Sequence, residues 1–222
     1  MKLSLFAAVA AAGLVVAATM AWIDPVLSQL VHQHFSPALV ELFGDFSRAA
    51  NGELFVALAC ALYLASLGMV RFSTEPRLTN GFARLGRGAL LVMATLLSGG
   101  VLTVGLKLLV SRARPTVLID SGFYGMGPAF MGEPFRSFPS GHAMAVFALA
   151  AALAQLTPKL RGFLIAVACL VALCRVFTLA HFLSDIMVSA AIAFGTAHFW
   201  SLHLSRRGAF GLPAAPSRGP VA

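Results

Sequence analysis

Charge is scarce in this chain of 222 residues. Only 11% of the residues are charged and eight are acidic, whereas soluble globular domains carry about 25% charged residues. The three cysteines all fall in apolar segments, and their odd number provides no disulfide framework. Apolar runs of about 18 or more residues, each long enough for a transmembrane helix, recur instead along the chain. The composition therefore excludes an ordinary soluble domain and predicts an all-α, polytopic membrane protein.

Six apolar segments each approach the roughly 17–25 residues that cross the hydrocarbon core of a bilayer. They are 3–23, 52–70, 88–110, 141–157, 161–179 and 184–204. The first is longer than the roughly 7–15 apolar residues of a signal peptide and lacks a small-residue cleavage site, so we expect a retained helix. Residues 28–32 also have helical character, and Pro37 can restart a helix after them.

These segments predict a single domain, a bundle of six transmembrane helices over residues 1–207. The remaining residues, 208–222, are rich in Gly, Pro and Ala. Such a composition cannot bury enough apolar surface to fold, so we expect a disordered cytoplasmic tail.

Basic residues make up most of the charge, since 16 Lys and Arg give a formal net charge of +8. They concentrate in connections 71–87 and 158–161 and in the tail after Ser205, whereas connection 24–50 is net acidic. Because Lys and Arg are retained in cytoplasmic loops, this pattern predicts cytoplasmic termini and explains the positive charge without a nucleic-acid partner. We expect a bacterial inner-membrane protein whose first, third and fifth connections face the periplasm.

The first of three charged motifs is 107–115, Lys-Leu-Leu-Val-Ser-Arg-Ala-Arg-Pro. Lys107 lies about two helical turns before Arg114, so both cations can reach one site near the end of the helix, which Pro115 stops. Arginine binds two phosphate oxygens with its planar fork, and lysine adds a point charge. The alternative interpretation is that both side chains merely extend to the membrane interface.

The second motif, Phe138-Pro-Ser-Gly-His142, directly precedes an apolar segment. Gly141 lets the backbone approach a ligand, and the free amides at a helix N-terminus attract an anion. Ser140 is also a good N-cap, a role that is compatible with phosphate binding. His142 is either a functional group of this site or an interfacial histidine with satisfied hydrogen bonds.

The third motif begins at Arg175 and ends at Asp185. Its His181 precedes Asp185 by four residues, which places both side chains on one helical face, about 5–6 Å apart at Cβ. A carboxylate bonded to one imidazole nitrogen fixes the tautomer and leaves the other lone pair free, so the spacing predicts an activated histidine nucleophile. His–Asp pairs also have purely structural roles in soluble proteins, but ionisable residues near a bilayer are functional candidates by default.

In order and spacing, the three stretches resemble the K-x6-RP, PSGH and SR-x5-H-x3-D motifs of the type 2 phosphatidic acid phosphatase (PAP2) superfamily. That superfamily includes membrane lipid-phosphate phosphatases and shares its motifs with soluble vanadium haloperoxidases. The resemblance covers roughly residues 105–190, and residues 44–52 resemble the segment before the family's second span. One departure is Cys174, which replaces the serine of the SR pair. That serine is not the nucleophile, so we expect the change to affect one hydrogen bond near Arg175.

The resemblance implies a role for each motif residue. The residues implied to bind the substrate phosphate are Lys107, Arg114, Ser140, Gly141 and Arg175. His181 would attack phosphorus and Asp185 would orient it, while His142 would protonate the leaving oxygen and later activate water. Phosphoryl transfer depends mainly on positioning and on charge stabilisation, for which three cations are suited.

We expect neither a metal nor another cofactor. A two-metal phosphatase needs a cluster of carboxylate and histidine ligands. Only Asp120, Glu133 and Asp185 supply carboxylates near the motifs. The expected reaction therefore proceeds through a phosphohistidine without a metal ion.

These features predict an integral-membrane phosphatase that acts on a lipid phosphate or diphosphate at the extracytoplasmic surface. Substrates compatible with the motifs are undecaprenyl diphosphate, phosphatidylglycerophosphate, phosphatidic acid and a lipid A phosphate. The alternatives are a lipid phosphotransferase with the same intermediate and a non-enzymatic anion or lipid transporter. Connection 116–137 is either a packed cap or a lid over the lipid, and Arg112 and Arg136 are expected to attract anionic lipid from an exposed position. The sequence does not specify the oligomeric state.

Overall fold

The computed structural model describes residues 2–48 and 51–206, and within them the named elements are all helical. In the described residues these helices are α1 (Lys2–Ala18), α2 (Asp24–His34), α3 (Pro37–Arg48), α4 (Gly52–Phe72), α5 (Pro76–Val110), α6 (Pro115–Ser121), α7 (Gly141–Leu156), α8 (Arg161–Phe177) and α9 (Leu183–Arg206). A π-helical turn, Thr19–Ile23, joins α1 to α2, and a 3-10 turn, Pro158–Leu160, precedes α8. The all-α prediction is confirmed for this part of the chain.

Helix α7 lies at the centre of the bundle, where α5, α8 and α9 pack around it. Its sequence is apolar on all sides, as expected of a helix without a solvent-facing stripe. Ala143, Ala148 and Ala152 are fully buried. These small side chains let the neighbouring helices approach closely, which is the usual mode of packing between membrane helices.

Five segments of the described residues are long and apolar enough to cross a membrane. They are Ala7–His34, Pro37–Phe72, Pro76–Val110, Pro158–Phe177 and Leu183–Ser205. Helix α7 is also apolar but has only 16 residues, a length of about 24 Å. The chain is thus a multi-pass helical membrane protein, and the count of six spans and the single domain over 1–207 stay predictions. The expected disordered tail, 208–222, lies outside the described residues.

The first helix is longer than the predicted span 3–23. It continues through the π-helical turn as far as His34, so Asp24 is not a loop residue but the first residue of α2, with a buried side chain. The predicted restart at Pro37 is confirmed, because α3 begins there. The acidic connection of the topology prediction therefore consists largely of two helices.

Helix α5 begins at Pro76, twelve residues before the predicted span at 88. Proline is well tolerated at the first helical position, where its missing N–H has no helical partner in any case. The helix has 35 residues, a length of about 52 Å, compared with about 30 Å for the hydrocarbon core. Most of the arginines assigned to connection 71–87 therefore lie on the first turns of α5.

The connection between α5 and α7 is tied together by backbone hydrogen bonds. Ala113 N donates to Gly125 O at 3.0 Å, and Gly127 N donates to Ser111 O at 2.8 Å. Arg114 N donates to Pro134 O at 3.0 Å. These bonds tie the connection into a cap on the end of the bundle, and its role as a lid over the lipid stays a prediction.

Candidate active site

The three charged motifs meet at one end of the bundle. Lys107, near the end of α5, donates from Nζ to the carbonyl of Arg136 at 2.6 Å. Ser189 of α9 donates to the carbonyl of Ser140, the residue before α7, at 2.9 Å. His181, between α8 and α9, lies 2.7 Å from the carbonyl of Ser137. Four helix ends therefore converge on one small region.

The start of α7 is arranged as an anion site. Ser140 is the N-cap, and its hydroxyl accepts a hydrogen bond from Ala143 N at 3.4 Å. A Cβ built on Gly141 would meet no atom within 4 Å, so open space lies beside the first amides of the helix. Helix N-termini with free amides attract phosphate. The structure thus leaves room for a phosphate where the second motif predicted one.

The arginines near this helix end lack a full set of partners. Arg175 donates from Nη1 to Ser47 Oγ at 3.1 Å, which ties α8 to α3. Arg114 forms an ion pair with Glu133, with Nη2 2.8 Å from Oε1. Among the described residues, the buried side-chain nitrogens without a hydrogen-bond partner are the Nε atoms of Arg114, Arg136 and Arg175. Because the Arg114 Nε lies 2.8 Å from a Glu133 oxygen in an ion pair, an anion must displace Glu133 to reach Arg114, whereas the Nε donors of Arg136 and Arg175 stay unmatched among the described residues.

A tight turn between α8 and α9 places the imidazole of His181. Leu179 has a φ of 53°, in the left-handed region that costs a non-glycine residue about 1–2 kcal/mol. The turn brings the N–H groups of Ala180 and His181 to the carbonyl of Arg175, each at 3.1 Å. Backbone strain of this kind is found at functional sites. Cys174 donates within α8 to Leu170 O at 3.3 Å, so its thiol bonds to its own helix.

The imidazole of His181 bonds to a backbone carbonyl rather than to the predicted carboxylate. Its Nδ1 lies 2.7 Å from Ser137 O, whereas Asp185 Oδ2 is 3.7 Å from the same nitrogen. The longer distance is beyond hydrogen-bond range. Because a carbonyl only accepts, Nδ1 carries the proton and Nε2 keeps its lone pair. The expected tautomer is present, but Ser137 fixes it, and the direct bond expected from Asp185 is not formed.

The ring of His181 is 3% exposed. Burial, which disfavours the charged imidazolium, lowers the pKa of His181 from 6.5 to about 4, and the nearby Asp185 carboxylate only partly opposes this shift. The imidazole is therefore neutral at physiological pH. A neutral imidazole with a free lone pair is the form that can attack phosphorus.

Asp185 lies in the first turn of α9 and is fully buried. Its Oδ2 accepts hydrogen bonds from Ser137 Oγ at 2.5 Å and from Phe182 N at 2.9 Å, and its Oδ1 accepts one from Arg112 Nη1 at 2.5 Å. The bond to the N-cap residue Phe182 is the backbone half of a capping box. Asp185 therefore holds Ser137, whose carbonyl in turn holds His181.

Arg112 is the main correction to the sequence interpretation. It was expected to be an exposed cation that attracts lipid, but its side chain is 2% exposed and paired with both Asp24 and Asp185. Although burial alone would lower it, the pKa of Arg112 is raised by these two carboxylates. Arg112 also donates to Ser184 Oγ at 2.7 Å and to the Tyr124 hydroxyl at 2.6 Å. A buried charge needs such a set of partners.

Sequence reasoning missed four residues around Arg112. They are Asp24, Ser137, Ser184 and Tyr124. One signal was present for Asp24, a carboxylate next to an apolar run in a chain with only eight acidic residues. No sequence pattern pairs it with Arg112, which lies far along the chain.

His142 occupies the first turn of α7 and is half-buried. Arg175, Lys107 and Arg114 lie within electrostatic range of its ring. This position places it beside the helix N-terminus at which the second motif predicted an anion. Among residues 2–48 and 51–206, no three His, Cys, Asp or Glu side chains form a group suited to a metal ion.

Comparison with known proteins agrees with this geometry. The chain matches the PAP2 superfamily over residues 88–208, more than half of its length, and therefore belongs to that family. It is 40% identical over 101 residues to a lipid A 1-phosphatase of Rhizobium johnstonii and 40% identical over 104 residues to one of Rhizobium etli. These matches cover 46% and 47% of this chain but only 41% and 44% of the two relatives, so the chain spans less than half of their length.

Two solved structures share the fold. A transmembrane PAP2-type phosphatidylglycerolphosphate phosphatase from Bacillus subtilis aligns with a TM-score of 0.60 and 19% identity over 94% of this chain and 98% of its own. LpxE from Aquifex aeolicus aligns with a TM-score of 0.55 and 19% identity over 81% and 95%. At this level of identity the likeness concerns the fold alone.

Proposed function

We propose that the protein is a membrane phosphatase that hydrolyses a lipid phosphate through a phosphohistidine on His181. The observation that carries the proposal is the neutral, buried imidazole of His181, with Nδ1 bound by a carbonyl and Nε2 left free. Two nearby arginines, Arg136 and Arg175, each keep an Nε donor without a partner among the described residues, and Arg114 is held by an exposed ion pair with Glu133. A nucleophile beside preorganised cations is what phosphoryl transfer requires.

In the first step, His181 Nε2 attacks phosphorus, an N–P bond forms and the bond from phosphorus to the lipid oxygen breaks. His142 donates its proton to that oxygen. In the second step, His142 accepts a proton from water, the water oxygen bonds to phosphorus and the N–P bond breaks. Inorganic phosphate leaves, and both histidines return to their starting protonation states.

The substrate phosphate binds at the start of α7. The Gly141 amide and Ser140 supply backbone and hydroxyl contacts, and Lys107, Arg114 and Arg175 neutralise the equatorial oxygens. Asp185 supports the nucleophile through Ser137 rather than by a direct bond. No metal ion takes part in this mechanism, since the cations are side chains.

Lipid A 1-phosphate is the first substrate to test, because the curated relatives are lipid A 1-phosphatases. Phosphatidylglycerophosphate, phosphatidic acid and undecaprenyl diphosphate follow. We further propose six spans in a bacterial inner membrane, with cytoplasmic termini and the site at the periplasmic face, on the basis of loop charge. A lipid phosphotransferase would share the first step and then pass the phosphoryl group to a second lipid. A transporter would need neither of the two chemical steps.

The test is release of inorganic phosphate by the purified protein in detergent and then in liposomes, across the four lipid classes and with or without EDTA. We expect release from at least one lipid, unchanged by EDTA and absent in His181→Gln. Transfer of phosphate to a second lipid without release would favour the phosphotransferase. Loss of activity in EDTA that returns with Mg²⁺ would contradict the metal-free mechanism.

A further inference from the structure

We propose that Asp24, on the first membrane helix, is a positioning residue for the catalytic pair and acts through Arg112 on Asp185 and His181. Asp24 belongs to none of the three motifs and lies outside residues 88–208, which match the family. The inference rests on the proposed function, because positioning has meaning only if His181 attacks. It assigns the N-terminal helix to the catalytic apparatus.

The π-helical turn explains why Asp24 reaches the site. Asp24 N donates to Thr19 O, in the wider register of a π-helix. Met20 O then has no helical donor, because Pro25, five residues later, lacks an N–H. The hydroxyl of Tyr124 fills this position and donates to Met20 O at 2.5 Å. The turn is thus fastened to the cap over the site, beside the carboxylate of Asp24.

Asp24 and Asp185 both form ion pairs with the guanidinium of Arg112. Arg112 Nη2 lies 2.9 Å from Asp24 Oδ2, and Nη1 lies 2.5 Å from Asp185 Oδ1. All three side chains are at most 2% exposed. Since water does not reach them, each donor must be matched by a protein acceptor.

Asp24 also holds the first turn of α9. Its Oδ1 accepts from Ser184 N at 3.1 Å, and its Oδ2 accepts from Ser184 Oγ at 2.5 Å. Ser184 is the neighbour of Asp185, so Asp24 fixes the backbone that carries the catalytic carboxylate. A carboxylate that accepts hydrogen bonds from amides in the first turn of a helix is also stabilised by the positive end of the helix dipole.

Loss of the Asp24 charge would leave Arg112 Nη2 without a charged acceptor in a dry site. Asp185 would then be the one carboxylate paired with the guanidinium. Because Asp185 Oδ2 anchors Ser137 at 2.5 Å, and Ser137 O holds His181 Nδ1 at 2.7 Å, a shift of Asp185 would loosen the imidazole. A misplaced nucleophile slows the chemical step without changing the affinity for phosphate.

The experiment compares Asp24→Asn with the core variant Phe147→Leu. Phe147 is buried in α7 and belongs to neither the site nor the network, so its variant controls for a general loss of packing. Two quantities are measured: the kcat and KM for phosphate release from lipid phosphates, and the ¹⁵N NMR signals of the histidine rings, with His181 assigned from His181→Gln. The ring nitrogens report the tautomer whether or not the enzyme turns over.

For Asp24→Asn we expect kcat to fall by about 10–100-fold, the usual effect of losing an outer partner of a functional histidine, with KM unchanged. The His181 ring should lose its single Nδ1–H tautomer, while Phe147→Leu keeps both the tautomer and kcat. If Asp24→Asn does not fold, Tyr124→Phe tests the same connection, with a smaller fall in kcat and unchanged KM.

The proposal would be overturned if Asp24→Asn had wild-type kcat and an unchanged tautomer. The same result in Tyr124→Phe would overturn it where that variant is the one tested. An equal loss of kcat in Phe147→Leu would also overturn it, by showing a general packing effect. If the wild type hydrolyses no lipid phosphate but Asp24→Asn still changes the His181 tautomer, the proposed function fails and only the structural coupling of Asp24 to the His181 ring stands.

Discussion

Arg112 and Arg114 are two residues apart and have opposite environments. Arg112 is 2% exposed and donates to Asp24, Asp185, Ser184 and Tyr124. Arg114 is 26% exposed, and its partner among the described residues is Glu133, itself 56% exposed. Each Nη atom of Arg112 has two acceptors, whereas an anion can replace the exposed carboxylate that pairs with Arg114.

The same contrast separates two groups of residues. The closed network consists of Asp24, Arg112, Tyr124, Ser184 and Asp185. The open cluster consists of Lys107, Arg114, Arg136 and Arg175. Cations with a full set of buried partners build the site, whereas cations with unpaired donors can bind a substrate without first breaking strong bonds. This difference predicts which variants lose stability and which lose only activity.

The largest effect is expected for His181, which the closed network positions and the open cluster surrounds. His181→Gln should lower kcat by about 10⁴-fold or more, as removal of other catalytic nucleophiles does. Phosphate release from the best lipid substrate measures the loss. His198→Gln, an exposed position on α9, the helix that follows His181, is the matched control and should retain wild-type activity. More than a tenth of wild-type kcat in His181→Gln would rule out the nucleophile.

In the closed network, Arg112→Ala should destabilise the protein by about 3–5 kcal/mol. The reason is that Asp24 and Asp185 would remain buried without their cation. Chemical unfolding in detergent measures the change. Arg71→Ala, an exposed arginine in the last turn of α4, should change stability by less than about 0.5 kcal/mol. Equal stability of the two variants would remove the distinction between the closed network and the open cluster.

In the open cluster, Arg175→Ala should lower kcat/KM by about 10²–10³-fold, the cost of removing one preorganised donor. Stability should change little, because within the described part of the chain Arg175 makes one side-chain hydrogen bond, to Ser47. Activity and unfolding are measured on the same preparation. A large loss of stability with unchanged kcat/KM would place Arg175 with the closed network instead.

The pH dependence concerns the His181 ring. Its pKa should be about 4 in the folded protein, against 6.5 for an ordinary histidine. Between pH 6.5 and pH 4 the unfolded chain binds a proton on this histidine and the folded protein does not. The free energy of unfolding therefore has its full contribution from His181 above pH 6.5 and loses it as the pH falls toward 4. An NMR titration of the ring measures the folded value. A ring that titrates near 6.5 would show that burial does not keep the nucleophile neutral.

The smallest effect is expected at the edge of the open cluster. Glu133 occupies the fork of Arg114, and a substrate phosphate must displace it. An exposed ion pair is worth about 0–1 kcal/mol, so Glu133→Gln should lower KM by at most about five-fold and leave kcat unchanged. Glu41→Gln on α3, also exposed, is the control. A rise in KM would show that Glu133 assists substrate binding.

The sequence predicted the parts of the site that depend on local chemistry. The N-cap at Ser140 and the helix that starts at Gly141 follow from rules that concern a few neighbouring residues. The prediction that His181 shares a helical face with Asp185 is wrong, because His181 lies in the turn before α9, which begins at Leu183. The helix start at Pro76 also follows from a local rule, the preference for proline in the first turn. It was missed because the arginines after Pro76 lower the hydropathy from which the span was predicted.

The sequence could not predict contacts between distant segments. Asp24 meets Arg112 only after the first helix has passed through a π-helical turn, and no spacing rule reports that pairing. Nor does a sequence show that a carbonyl, that of Ser137, will hold the imidazole in place of Asp185. These contacts depend on packing, and they distinguish the cations that build the site from those that bind substrate.

The most direct test is to trap the phosphoryl group on His181. The enzyme is mixed with a ³²P-labelled lipid phosphate, quenched within one turnover at alkaline pH, where an N–P bond persists, and digested for mass spectrometry. We predict label on the peptide that contains His181, and none in His181→Gln. Release of phosphate with no labelled histidine, or with label on another residue, would contradict the mechanism.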